Sequence, residues 1–142
     1  MKIRKGIAAI IWTKIKGKRK YLILRRKLYW SGWEWLKGGR KKGENELECL
    51  EREIKEETGK RVEEYIVQKT NKIFSFLYER PFVHDNELWG GMKCSVYLIE
   101  LNNSKIKLDK EEHSIHKWMT KGEALKHLTW PDQRKMFSKL AK

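Results

Sequence analysis

Glu53, Glu56 and Glu57 stand at spacings i, i+3 and i+4. On a helix that spacing sets three carboxylates side by side, where they repel one another unless a cation sits among them. Two readings follow. The acids bind a hard divalent cation through oxygen, or they form a solvated face tied to Lys55 and Arg52 by ordinary salt bridges. Seven glutamates fall between Glu44 and Glu57, whereas the 43 residues before Glu44 hold fifteen Lys or Arg and one acid, Glu34. Gly38 and Gly39 precede the acids in a loop whose glycines allow positive φ and close backbone approach. Carbonyls exposed by such a loop can join carboxylates around a cation.

The elements that must position these acids are legible. Asn45 is a good N-cap with Glu48 in capping-box register, Leu47, Leu50 and Ile54 recur as a core-facing stripe, and Gly59 supplies the stop. A helix over residues 46–58 follows, with the triad on the flank beside the stripe. Glu46, Glu48 and Glu51 suit the helix N-terminus or the solvent side. Upstream, residues 6–15 and 21–27 are β-branched and aliphatic around "KGKRK" and predict a hairpin. Residues 28–44 read as loop around a short strand "WEWL". Downstream, residues 62–80 read as one long or broken strand, 81–91 as a loop, 92–101 as a strand and 114–119 as a last short strand. Thr120 and Glu123 form a second capping box that opens a helix through about residue 127, and Pro131 starts a C-terminal helix. The sum is one α/β domain over residues 1–142 with a mixed sheet.

Composition bounds the function. A formal charge of +14 serves solubility, or it attracts phosphorylated ligands or nucleic acid. The longest apolar run, "IAAIIW", is too short to span a bilayer, so no membrane partner is expected. Cys49 and Cys94 make neither a disulfide framework nor a metal motif, which places the chain in a reduced, cytoplasmic setting. Trp33, Phe76, Tyr78 and Trp89 are candidates to stack on a base. Arg25, Arg26, Arg40, Lys41 and Lys42 are candidates to hold phosphates. His113 and His116 do not resemble a zinc site.

Gly38, five residues, Glu44, seven residues, then "REIKEETG" from Arg52 to Gly59 resembles the Nudix box, spanning residues 38–60. Eight of nine defined positions agree; Lys60 replaces an apolar residue, which touches packing more than chemistry. Lys37 replaces a common proline. The resemblance implies an α/β/α sandwich with a mixed β-sheet and a loop–helix–loop catalytic motif. It also implies hydrolysis of a nucleoside diphosphate linked to another group, with Mg²⁺ or Mn²⁺. By that resemblance Glu56 and Glu57 are metal ligands, and Glu53 shares the metal or acts as base. Arg52 orients the glutamates, Glu44 supports the direct ligands or holds the metal through water, and a backbone carbonyl near Lys37 or Gly38 completes the site. Glu112 is the candidate base from outside the box.

The tail "EEHSIHKWMTKGEAL" is similar to the end of dinucleoside polyphosphate hydrolases, and "GWEWLKGG" looks like the entry to the box in those enzymes and in RNA 5′-pyrophosphohydrolases. The substrate expectation is a dinucleoside polyphosphate, with Arg25, Arg40, Lys41, Tyr78 and Trp33 as binding residues. An RNA 5′ end, a nucleoside triphosphate and a catalytically silent RNA-binding module are the alternatives. Intact Glu53, Glu56 and Glu57 favour an enzyme over the silent module. The sequence leaves oligomeric state open.

Overall fold

The computed structural model describes residues 1–27, 31–107 and 113–142. Seven described strands form one mixed sheet: β1 (Lys2–Ile15), β2 (Lys18–Arg26), β3 (Gly32–Glu34), β4 (Leu36–Gly39), β5 (Tyr65–His84), β6 (Glu87–Leu101) and β7 (His113–Met119). The order is β3-β2-β1-β6-β5, with β4 on β1 and β7 on β2. β1 and β6 run parallel, whereas β1–β2, β1–β4 and β5–β6 are antiparallel. Three helices complete the chain: α1 (Glu46–Thr58), α2 (Lys121–His127) and α3 (Pro131–Leu140).

Alternation along the strands gives the sheet two buried faces. One face carries Ile7, Ala9, Ile11, Leu22, Leu24 and Leu36 and is covered by Cys49, Leu50 and Ile54 of α1. The other carries Ala8, Ile10, Ile23, Trp35, Phe74 and Cys94 and is covered by Ala124, Leu128 and Phe137 from the C-terminal helices. Helix, sheet, helix is therefore the layer order, the α/β/α sandwich expected. Tyr21 fastens the C-terminus: its hydroxyl donates to the Lys142 carbonyl at 2.9 Å and accepts the Lys142 N–H at 2.8 Å. Among the described residues no helix is long and apolar enough to cross a membrane.

Three expectations need correction. Residues 81–91 are not a loop. β5 and β6 continue to His84 and from Glu87, and Asp85 and Asn86, with φ of 51° and 61°, make the two-residue turn between them. That conformation is the hairpin turn whose twist matches the strands, and Asp and Asn tolerate it. Pro81 is accommodated because β5 is an edge strand. Second, Leu47 lies 57% exposed. It sits in the first turn, and the buried face of α1 instead comprises Cys49, Leu50, Glu53, Ile54, Glu57 and Thr58. Third, Lys37, Gly38 and Gly39 belong to strand β4, and neither glycine has positive φ.

Candidate functional site

The first and last residues of α1 are fixed by its caps. The Asn45 side chain accepts the Glu48 N–H at 2.8 Å, and Glu48 returns the bond to the Asn45 N–H at 3.0 Å. Gly59 ends the helix at φ 75°, a left-handed conformation that glycine adopts without penalty. So anchored, α1 turns two glutamates inward: Glu53 is 8% and Glu57 3% exposed. Glu56 lies toward solvent. Burying carboxylates on the core side of a helix is unfavourable unless cations compensate, which sets this flank apart from an ordinary acidic surface.

One cation is built in. Arg52 grips Glu44 with two bonds, Nε to Oε2 at 2.7 Å and Nη2 to Oε1 at 3.0 Å. Its Nη1 donates to Glu53 Oε1 at 2.8 Å and lies 3.4 Å from both Glu56 oxygens. Nη2 also donates to the Gly39 carbonyl at 3.0 Å. A planar guanidinium is suited to this forked geometry. Its effect on Glu44 is large: chiefly the Arg52 hydrogen bonds lower that carboxyl from 4.5 to about 2, against burial. The same carboxylates hold the Arg52 guanidinium well above its usual range. The loop closes on itself as well, with the Lys41 N–H donating to Glu44 Oε1 at 2.9 Å and Arg40 Nε to the Glu44 carbonyl at 2.9 Å.

The double glycine matters for space rather than torsion. Alternate residues of a strand face opposite sides. A Cβ on Gly38 would overlap the Glu53 carboxyl, and a Cβ on Gly39 would overlap the Arg4 guanidinium. Gly38 therefore lets the acids of α1 close onto β4, and Gly39 opens the opposite face.

That opposite face carries a second set of groups. Rings follow one another along β5: Phe74 and Phe76 at 5.6 Å, Phe76 and Tyr78 at 5.7 Å, Tyr78 and Phe82 at 4.9 Å. Lys37 Nζ stands 5.3 Å from the Phe76 ring and donates to Glu34 Oε1 at 2.8 Å. Glu34, 1% exposed, also accepts from Arg26 Nη1 at 3.2 Å. Sequence reasoning noticed Glu34 only as the lone acid of a basic half. That isolation was the signal: a single carboxylate among fifteen cations is buried where two of them converge.

The remaining candidates separate. Arg25 is exposed and opposite Trp33 across the β2–β3 pair. Trp33 itself packs edge-on against His127 at 5.9 Å and is anchored through its N–H to Thr129 Oγ1 at 2.8 Å. Trp89 is engaged within the β5–β6 hairpin, its Nε1 donating to the His84 carbonyl at 3.0 Å. Lys41 and Lys42 are exposed on the loop before α1. Lys60 is buried, 6% exposed, with Nζ donating to Asn103 Oδ1 at 2.8 Å. Burial depresses the charging of His116. Glu112 lies outside the described residues. Cys49 and Cys94 are free and buried, and burial pushes both thiols up to about 12.

The donor chemistry of this corner fits a divalent cation. The candidate ligand side chains are carboxylates, hard ligands of the kind Mg²⁺ and Mn²⁺ prefer, and Gly38 lets the Glu53 carboxyl lie directly against the β4 backbone, where any Cβ would overlap it. As the side chains stand, Arg52 occupies Glu44, Glu53 and Glu56, and among the described residues no three His, Cys, Asp or Glu are grouped to hold an ion.

Fold and box together define the class. Residues 4–140 match the NUDIX domain family model, so the chain belongs to the Nudix family and is a hydrolase of pyrophosphate bonds. Solved structures show the same architecture. An Ap4A hydrolase from C. elegans, in a binary complex, superposes with a TM-score of 0.78 at 24% identity over 98% of this chain and 96% of that one. The E. coli dihydroneopterin triphosphate pyrophosphohydrolase gives 0.75 at 19% identity, covering 98% and 97%. The NUDIX domain of Shewanella oneidensis NrtR, complexed with ADP ribose, gives 0.73 at 13% identity, covering 97% and 86%. No curated protein matches the sequence.

Proposed function

We propose that this chain hydrolyses a phosphoanhydride bond of a dinucleoside polyphosphate, with Mg²⁺ or Mn²⁺ held by Glu53, Glu56, Glu57 and a backbone carbonyl at Lys37 or Gly38. One observation carries the reading. Strand β4 separates two unlike surfaces, the carboxylates of α1 beside Gly38 and the cationic, aromatic surface of Lys37, Phe76 and Tyr78 on the other face. A ligand with a long phosphate chain and a base at its end satisfies both.

The cation, when bound, would neutralise the phosphates and lower the pKa of the attacking water. The protein's own groups do the rest. Arg52 keeps Glu53 Oε1 at 2.8 Å and Glu44 in a two-bonded grip, so the acids are oriented before substrate arrives. Glu53 or Glu112 takes the proton of the attacking water. Glu44, already fixed by Arg52, acts through water. Lys37 brings positive charge to the phosphates that remain on the leaving side, and Phe76 and Tyr78 supply ring faces for a base, a contact of about 1–3 kcal/mol. Arg25, Arg40 and Lys41 add to the attracting field. A reduced, cytoplasmic setting suits two free buried thiols.

An RNA 5′ end is the second reading. It is favoured by the β1–β2 turn, where Lys14, Lys16 and Lys18 are exposed. A Mg²⁺-dependent panel of diadenosine tetraphosphate, nucleoside triphosphates, ADP-ribose and 5′-triphosphate RNA, with products identified, separates the readings. Highest kcat/KM on the tetraphosphate supports the proposal, and preference for RNA or for a mononucleotide overturns it.

A further inference from the structure

Among the described half-buried arginines, five have a fixed partner. Arg19 lies 3.5 Å over the Trp12 ring, Arg26 pairs with Glu34, and Arg40 holds the Glu44 carbonyl. Arg52 holds three glutamates, and Arg134 donates to the Leu128 and Thr129 carbonyls at 2.7 and 3.1 Å. Arg4 is the sixth. It is half-buried, yet no acid or hydrogen-bond acceptor pairs with it among the described residues. A guanidinium drawn partly out of water without a counter-charge is unfavourable, and such a group waits for an anion.

Its surroundings show where that anion would lie. Arg4 is the register partner of Met92 on β6, which pairs in turn with Phe76 on β5. The guanidinium packs over Gly39, in the space that only glycine leaves. Near it the Tyr78 hydroxyl is buried with no hydrogen-bond partner. Burial raises that phenol above its ordinary range, and the charges of Arg4 and Arg26 oppose the rise. An unpaired donor and an unpaired cation thus flank the same stretch of β4 whose other face meets Glu53.

Resting on the hydrolase reading above, we propose that Arg4 is a substrate-binding residue. It holds the uncleaved phosphates where the chain crosses β4 at Gly38–Gly39, and so favours substrates with more than two phosphates. A phosphate seated there accepts from the guanidinium, and an oxygen of the same ligand accepts the Tyr78 O–H. Two phosphates reach only the α1 side; the third and fourth reach Arg4. Arg4 does not touch the reacting atoms, so its loss acts on binding. The alternative is that Arg4 merely props the sheet by packing on Gly39 and Tyr78.

The test compares Arg4→Ala and Arg4→Lys with wild type on diadenosine tetraphosphate and ADP-ribose. With Arg4→Ala the KM for the tetraphosphate rises about 10- to 100-fold, the range expected for losing a charge-assisted hydrogen bond. The kcat and the KM for ADP-ribose change by less than about threefold, and lysine restores part of the loss because an ammonium still binds a phosphate as a point charge. A tetraphosphate KM within about twofold of wild type overturns the inference and leaves the hydrolase intact. So does an equal loss on both substrates, which marks a prop. If wild type turns over neither compound, the substrate reading falls. Calorimetric binding of a methylene-bridged diadenosine tetraphosphate to wild type and Arg4→Ala then decides on Arg4: weaker binding to the variant supports it, and equal or no binding overturns it.

Discussion

Removing Arg52 should cost stability before it costs chemistry. The side chain is 20% exposed and the side chains of its partners Glu44 and Glu53 are 13% and 11% exposed, so the pairs are largely desolvated. Lowering the Glu44 carboxyl from 4.5 to about 2 corresponds to about 3 kcal/mol. Cutting one partner from a buried pair has a comparable effect, about 3–5 kcal/mol, because the other charge is stranded. The expected result for Arg52→Ala is a loss of about 3 kcal/mol of unfolding free energy at pH 7, read by urea denaturation. The pH dependence follows from the sign. A carboxyl depressed in the folded state stabilises above its unfolded pKa, and the contribution disappears as pH falls from 4.5 toward 2. The difference between wild type and Arg52→Ala should therefore shrink across that window. Adding Glu44→Gln to Arg52→Ala should recover part of the loss by removing the stranded charge. A variant within about 1 kcal/mol of wild type at pH 7, or a difference that does not move with pH, would refute this account of the cluster.

Two further substitutions probe the same corner. Gly38→Ala puts a Cβ onto the Glu53 carboxyl; overpacking of this kind destabilises by about 1–3 kcal/mol, and turnover should fall at least tenfold (about 1.4 kcal/mol). An unchanged melting temperature and rate would show that Glu53 moves aside freely. Lys60→Leu replaces a buried ammonium with the apolar side chain usual at that box position. Thermal melts should be unchanged or higher, since a buried ammonium whose nearest carboxylate, Glu64, lies 3.9 Å away is weakly compensated and unfavourable. A marked drop in melting temperature would show that the bond to Asn103 is needed.

The helix that carries the acids was legible in the sequence because its limits are local. Asn45, Glu48 and Gly59 act within one turn of the chain, and residues 46–58 are helical as expected. Helices α2 and α3, opened by Thr120 and Pro131, were legible for the same reason. The β5–β6 hairpin was not. Pro81, Asp85, Asn86, Gly90 and Gly91 read as punctuation, yet Gly91 lies within β6 and is glycine for want of space, since a Cβ there would meet the Phe76 carbonyl. A contact between strands leaves no mark in either strand's own composition. The site divides the same way. Periodicity brought Glu53, Glu56 and Glu57 together, but which of them turns inward depends on the sheet. The spaces over Gly38 and Gly39, the pairing of Glu34 with Arg26 and Lys37, and the position of Arg4 arise only when β1, β4 and β5 are side by side.

The central claim is that the carboxylates of α1 carry metal-dependent hydrolysis. Glu56 tests it most cleanly, because its side chain is 40% exposed and its nearest Arg52 contacts are 3.4 Å long, so its removal leaves the fold intact. Initial rates on diadenosine tetraphosphate are compared for wild type and Glu56→Gln, each with Mg²⁺ and with EDTA. Wild type should turn over with Mg²⁺ and not with EDTA. Glu56→Gln, with an unchanged melting temperature, should lose at least about 100-fold in rate, a barrier change of about 2.7 kcal/mol. Mg²⁺-dependent turnover at the wild-type rate in Glu56→Gln would contradict the account.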